Sequence, residues 1–240
     1  METLDTWGIS DRGLVRQNNE DSWLIDPELG VAIVADGMGG ASCGEVASAL
    51  AVEAVLEYLR NPPAPAPPDE LLEQAVREAN RRVFERAQSE ESCRGMGSTI
   101  VAALWRLPRL YIANVGDSRA YLCRGRQLIQ LSYDQTLVNE LRVKFGLTQD
   151  EVSNFPHKNV LTMAIGASPE VTVRSHIESL IPGDQILLCS DGLSGPVPEE
   201  EIAAIMASAD PLPLKAGRLI EAARSYGAPD NVTAVLLRYE

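Results

Sequence analysis

Six short runs, at 31–35, 98–104, 110–115, 119–123, 186–189 and 232–237, are apolar almost without interruption, and they constrain this chain more than any other feature. Apolar runs of this length, bounded by turn residues, predict strands covered on both faces. Helical periodicity appears elsewhere. Leu72, Val76, Ala79 and Val83 recur at helical spacing and predict an amphipathic helix over 69–88. Further helices are expected over 44–59, 199–208 and 212–225, and Ser42-Cys43-Gly44-Glu45 has the capping-box pattern at the start of the first. Between the first two helices, Asn61-Pro62-Pro63-Ala64-Pro65-Ala66-Pro67-Pro68 predicts a stiff loop, too short to link domains. Strands in runs with helices set apart favour an α+β or layered sandwich plan over strict βαβ winding. The two runs flanking Gly116-Asp117-Ser118 are close enough to pair as an antiparallel hairpin. With 240 residues, 45% of them hydrophobic, the chain suits one domain spanning 1–240.

Charge and residue usage exclude several functions. A net charge of −13 argues against a nucleic-acid binder, which needs a basic stripe to meet phosphates. It suits a self-repelling soluble protein, expected to be a monomer, and one whose carboxylates hold divalent cations. His157 and His176 are the only histidines, so a histidine-rich zinc site is excluded. Cys43, Cys93, Cys123 and Cys189 are scattered without a Cys-x-x-Cys pair, and buried thiols in a reducing cytoplasm are the expectation. No apolar run reaches the roughly 18 residues of a membrane span, and Met-Glu-Thr-Leu-Asp does not resemble a secretory signal. These absences point to a cytoplasmic location.

One pattern repeats at the ends of the apolar runs. The first leads into Asp36-Gly37, the run at 110–115 into Gly116-Asp117, and the run at 186–189 into Ser190-Asp191-Gly192; Asp230-Asn231 opens the last. Asp-Gly is also a common hairpin turn, but both Asp-Gly pairs here lead through glycine-rich segments toward helices. Two such carboxylates ~4 Å apart repel by about 4 kcal/mol at an effective dielectric near 20, so their convergence requires protons or cations between them. Oxygen-only ligands of this kind suit Mg²⁺ or Mn²⁺.

Taken with Gly13-Leu14-Val15-Arg16-Gln17-Asn18-Asn19-Glu20-Asp21, Ala35-Asp36-Gly37-Met38-Gly39-Gly40, Gly95-Met96-Gly97-Ser98-Thr99, Asn114-Val115-Gly116-Asp117-Ser118-Arg119, Ser190-Asp191-Gly192-Leu193 and Pro229-Asp230-Asn231-Val232-Thr233, the chain resembles the metal-dependent (type 2C, or PPM) serine/threonine protein phosphatases over nearly its whole length. That resemblance implies a four-layer α-β-β-α sandwich, with two central antiparallel sheets flanked by helices. It implies two tightly bound Mn²⁺ or Mg²⁺ ions and a third, weaker one. Asp36 would bridge two metals, the Gly37 carbonyl would bind one, and Asp191 and Asp230 would complete the second. Asp117 would hold the third ion together with Asp191. Glu20 and Asp21 would support metal-bound waters, and Arg16 would grip the substrate phosphate. The implied reaction is hydrolysis of phosphoserine and phosphothreonine in proteins phosphorylated by a serine/threonine kinase, by a metal-activated water attacking phosphorus in line. Family members often carry histidines where this chain has Met38, Ala41 and Gln135, so the resemblance assigns no side chain to protonating the leaving group.

Two rival readings are weighed beside this one. A catalytically weak or silent relative would bind phosphoproteins without turnover, yet a binding module has no need of the aspartate set. Gly40-Ala41-Ser42-Cys43-Gly44 fits the G-x-S-x-G pattern of serine hydrolases, but Ser42 comes well after its strand and the capping box explains it.

Overall fold

A computed structural model describes residues 3–39, 43–146, 148, 155 and 160–240. Eleven strands are described: β1 (Leu4–Asp11), β2 (Asp21–Asp26), β3 (Val31–Met38), β4 (Gly97–Ser98), β5 (Ile100–Arg106), β6 (Arg109–Val115), β7 (Arg119–Arg124), β8 (Gln127–Gln130), β9 (Arg174–Ser179), β10 (Gln185–Cys189) and β11 (Val232–Tyr239). The described helices are α1 (Cys43–Arg60), α2 (Pro68–Ser89), α3 (Leu137–Phe145), α4 (Asp191–Ser194), α5 (Glu199–Met206) and α6 (Leu212–Ser225). One sheet has the order β2-β3-β5-β6-β9, with β4 added beside β3; the other runs β1-β11-β10-β7-β8. Every strand pairing is antiparallel.

The alternation of side chains along each strand explains the layers. On β3, Val31, Ile33 and Ala35 face an outer core that they share with Ala47, Ala51 and Val55 of α1 and with Leu72, Val76 and Val83 of α2. Between them, Ala32 and Val34 face inward to a central core with Val101, Ile112, Leu122, Ile186, Leu188 and Val235, which joins the two sheets. On the far side, Leu187, Cys189 and Leu236 pack against Leu193, Ile202 and Leu219 from α4, α5 and α6. Three cores separate four layers, the α-β-β-α sandwich that the resemblance implied. Small residues on the inner face of α1 let it lie close to the sheet, and Pro68 occupies the first turn of α2, where its missing N–H costs nothing. Among the described residues no helix is long and apolar enough to cross a membrane.

Two expectations are corrected. The runs flanking Gly116-Asp117-Ser118 do not form a hairpin: β6 pairs with β5 and β9, whereas β7 pairs with β10 and β8. A hairpin would leave both strands in one sheet. Here Gly116, at φ +92°, turns the chain out of one sheet and into the other. The four cysteines are not all free either. Cys43 and Cys93, 50 residues apart, form a disulfide with a Cα separation of 5.4 Å, because the start of α1 and the 3₁₀ turn Glu91–Cys93 after α2 meet on one side of the helical layer. Cys123 and Cys189 are free and buried. The capping-box serine, Ser42, lies outside the described residues, as do Gly40, Ala41 and His157.

Candidate metal centre

One end of the sandwich carries an open cleft of about 500 Å³, and Arg16, Glu20, Asp36, Gly37, Asp117, Asp191 and Asp230 all line it. Asp21 lies just behind. Every residue that the resemblance assigned to the metals, their waters or the phosphate is therefore at this one end.

Both sheets contribute. Asp36 lies within β3, opposite Asp21 of β2 in the register. Asp191 opens α4 directly after β10, and Asp230 stands two residues before β11. Asp117 occupies the crossover between the sheets. Two close backbone approaches set these positions. At Gly37, a Cβ would lie 2.7 Å from the Glu20 carbonyl oxygen and run into the backbone of Gly44 at the start of α1. At Gly192, a Cβ would strike the backbone of Asn231 and come 3.5 Å from Asp230 Cβ, so only glycine lets the Asp191 and Asp230 segments come together.

Hydrogen bonds hold the loop that presents Arg16. Asn231 Nδ2 donates to the carbonyls of Arg12 (2.9 Å) and Asn18 (2.8 Å), and its Oδ1 accepts the Glu20 amide at 2.8 Å. The Leu14 amide bonds the Ala228 carbonyl at 3.0 Å. Arg16 itself is half-exposed, and its guanidinium lies 2.6 Å from Asp230 Oδ2. Asp21 ties the sheets together, because its Oδ2 accepts from Ser190 Oγ of one segment (2.7 Å) and Thr233 Oγ1 of another (2.6 Å). Beside Asp117, Gln135 accepts the Gly116 amide at 2.9 Å, and Arg119 makes a forked pair with Asp134. Gln135 thus braces the crossover, at the position where the family often carries a histidine.

The carboxylates are electrostatically frustrated. Burial pushes the Asp36 carboxyl well above its usual range, and the charges of Asp21, Asp191 and Asp230 add to the shift. A hydrogen bond between the two carboxyls adds to the rise at Asp36 and opposes it at Asp191. Burial also raises Asp191, with help from Asp230, and raises Asp117 to about 7, with help from Asp191 and Asp134. Asp21 is raised to about 7 by its burial, although the Thr233 and Ser190 hydroxyls oppose the shift.

These features fit divalent cations. Asp191 Oδ1 and Asp21 Oδ1 are buried with no hydrogen-bond partner, a costly arrangement that a cation or its water would relieve. The donors are all oxygens, as Mg²⁺ and Mn²⁺ prefer. Among the described residues no three acidic, thiol or imidazole groups stand close enough together to hold a metal ion as they are placed here, so the carboxylates line one cleft without forming a preassembled ligand set. Burial and mutual repulsion raise Asp36, Asp117 and Asp191, so a cation beside them would offset charge that is costly to leave unpaired.

The serine-hydrolase reading gains no support. His176 lies on edge strand β9, with Nε2 3.3 Å from Glu178 Oε2, and does not line the cleft. Thr99, Asn231, Ser190 and Thr233 were in quoted motifs without roles. Ser190 and Asn231 carry one signal, a polar residue directly beside an aspartate, and Thr99 and Thr233 carry none.

Comparison with known proteins agrees with this geometry. A family model described as Protein phosphatase 2C matches residues 11–227. The chain is 38% identical over 234 residues to the serine/threonine phosphatase stp of Listeria monocytogenes, covering 95% of this chain and 93% of that one. It superposes on the Mycobacterium tuberculosis serine/threonine phosphatase PstP/Ppp with a TM-score of 0.90 at 37% identity, covering 98% of each chain. A structure of the PstP catalytic domain in complex with two manganese ions gives a TM-score of 0.88 at 36% identity, covering 100% of this chain and 99% of that one. With a four-layer sandwich, an aspartate-lined cleft at one end of it and a family match across most of its length, the chain belongs to the protein phosphatase 2C family.

Proposed function

We infer that this protein is a protein-serine/threonine phosphatase that removes phosphate from phosphoserine and phosphothreonine with the help of two Mn²⁺ or Mg²⁺ ions. The observation that carries this reading is the meeting of Asp36, Asp191 and Asp230 from two sheets, with a bare buried oxygen among them, beside a half-exposed arginine. Asp36 would bridge the two cations, with the Gly37 carbonyl on one side and Asp191 and Asp230 on the other. Asp117 and Asp191 would hold a third, weaker ion. Glu20 and Asp21 would orient the waters these ions keep.

Divalent cations bound by this set supply an activated water near neutral pH and positive charge against the phosphoryl oxygens. Arg16 binds a phosphoryl oxygen with its planar fork of donors, orienting the ester for in-line attack. No covalent phosphoenzyme is needed. The free Cys189 is buried, and burial pushes its thiol up to about 12, which suits an inert core group.

The substrates are phosphorylated proteins, targets of serine/threonine kinases. Such kinases draw on nucleoside triphosphate, which favours the cytoplasm for the protein and its substrates although a disulfide such as Cys43–Cys93 is uncommon there, and the net charge of −13 favours a monomer. The test is chelation followed by assay with a phosphothreonine peptide. Activity should vanish and return with Mn²⁺ or Mg²⁺, and Asp36→Asn should lower turnover at least about a hundredfold, roughly 2.7 kcal/mol of barrier. Full turnover in chelated protein would sink the reading. Metal binding without any turnover would instead favour a silent phosphoprotein-binding module.

A further inference from the structure

At Asp36 the sheet ladder is interrupted in a way that the register does not require. β3 pairs with β5 through Val34↔Val101 and with β4 through Gly37↔Ser98, a single continuous register that sets Asp36 opposite Thr99. An antiparallel pair at this place normally exchanges two main-chain bonds. One is present: the Thr99 amide donates to the Asp36 carbonyl at 2.8 Å. The other is replaced, because the Asp36 amide donates to the hydroxyl Thr99 Oγ1 at 3.1 Å. That hydroxyl also bonds Ser118 Oγ at 2.7 Å. Both side chains are buried, Thr99 at 3% exposure and Ser118 at 0%, so neither has water as an alternative partner. Ser118 directly follows Asp117, and the Thr99 methyl packs against Gly116, where a Cβ would lie 2.7 Å from Thr99 Cγ2. A single hydroxyl therefore links the backbone of the Asp36 strand to the crossover that carries Asp117.

We propose that Thr99 is a positioning residue whose hydroxyl, by accepting the Asp36 amide and bonding Ser118, fixes the spacing between the Asp36 and Asp117 carboxylates and so sets how tightly cations are held in the cleft. The proposal rests on the metal-centre reading given above. Without the hydroxyl, the Asp36 amide turns to the main-chain carbonyl of Thr99, as in an ordinary ladder, using the second lone pair of an oxygen that already accepts from Ser98 Oγ at 2.7 Å. The Ala35–Asp36 peptide, which carries that amide, then rotates while the Asp36 carbonyl and the Gly37 amide stay bonded to Thr99 and Glu20, and the Asp36 carboxylate is carried away from its present direction. Thr99→Val keeps the shape and the methyl contact with Gly116 but removes the bond. Thr99→Ser keeps the bond and removes the methyl.

The test is calorimetric Mn²⁺ titration of wild type, Thr99→Val, Thr99→Ser and Ser118→Ala, with melting of the chelated proteins and turnover of p-nitrophenyl phosphate at saturating Mn²⁺. Thr99→Val is expected to bind Mn²⁺ about tenfold more weakly and to turn over about tenfold more slowly. Its KM should stay within about twofold of wild type, since Arg16 is untouched. Thr99→Ser should bring Mn²⁺ affinity back to within about threefold of wild type. Ser118→Ala, which leaves the Asp36 amide its acceptor, should show a smaller loss of the same kind, about threefold, and it carries the test if Thr99→Val does not fold. Wild-type Mn²⁺ affinity in Thr99→Val, or in Ser118→Ala where it stands alone, overturns the proposal. So does a Thr99→Ser as impaired as Thr99→Val, which would assign the effect to packing of the methyl. A wild type that binds no Mn²⁺ removes the metal-centre reading itself, and the proposal with it.

Discussion

Arg16→Ala separates substrate binding from metal binding. The guanidinium sits 2.6 Å from Asp230 and its side chain is 52% exposed, so in the resting protein it forms a surface ion pair. Such a pair contributes about 0–1 kcal/mol to stability, and its loss should move the melting temperature little. Against a phosphate dianion the same group would make charge-assisted bonds worth about 1.5–3 kcal/mol. The second figure exceeds the first, so an arriving phosphate competes successfully with Asp230 for the arginine. Removing the side chain should then lower kcat/KM by about 10- to 150-fold, the same energy expressed as a rate ratio. Mn²⁺ affinity should hold or rise slightly, because Asp230 loses a competitor for its oxygen. Arg16→Lys, which keeps the charge but not the fork, should fall between. The assay is steady-state hydrolysis of a phosphothreonine peptide at saturating Mn²⁺, with a calorimetric metal titration beside it. A kcat/KM within about threefold of wild type would refute the phosphate-binding role. A collapse of Mn²⁺ affinity would show that Arg16 acts through Asp230 instead.

Three further outcomes are expected. Asp117→Ala should lower turnover at least about a hundredfold while the tight metal sites and the melting temperature persist; wild-type turnover with a lowered melting temperature would leave Asp117 a turn residue. Reduction of Cys43–Cys93, which closes a 50-residue separation, should cost up to about 4 kcal/mol through the freed unfolded chain, lowering the melting temperature by roughly 10 °C; superimposable melts with and without reductant would contradict it. In chelated protein, Asp21 and Asp117 hold protons up to about pH 7, whereas the unfolded carboxyls lose theirs near ~3.9, so stability is greatest below that lower value and is lost as pH rises through about 7. Mn²⁺ should abolish the fall, and equal urea midpoints at pH 5 and pH 8 without metal would count against the buried-carboxylate account.

The parts of the fold that showed in the sequence are those buried on both faces. The central strands β3, β5, β6, β7, β10 and β11 are covered by one core on each side, and their sequences are correspondingly apolar throughout. The strands that did not show, β1, β2, β8 and β9, are the four sheet edges. Residues such as Arg174, Ser175 and Ser179 on β9 face solvent and leave no apolar run. Sheet membership was hidden for a related reason. Nothing in Gly116-Asp117-Ser118 distinguishes a crossover from a hairpin turn, since glycine at positive φ serves either. The candidate site was legible because carboxylates at several strand ends have few structural uses. Its supporting hydroxyls and amides were not, because Thr99, Ser190 and Asn231 belong to residue types found in any turn. The cystine was invisible because its halves lie 50 residues apart with no spacing pattern.

The division of the aspartates between two sheets has a consequence for how the domain breathes. Asp36 belongs to the β3 sheet, whereas Asp191 and Asp230 border β10 and β11 of the other. An ion shared among them, as proposed above, would tie together two layers that otherwise meet mainly through the apolar side chains of the central core. Any ligand that binds only the closed arrangement stabilises it by linkage, about 2.7 kcal/mol at a hundredfold excess over Kd. That stabilisation falls first on motions that part the layers at the cleft end. Amide hydrogens of β3, β10 and β11 nearest the cleft should therefore exchange more slowly with solvent when cations are bound. Those at the far ends of the same strands, near Val31 and Tyr239, should change least.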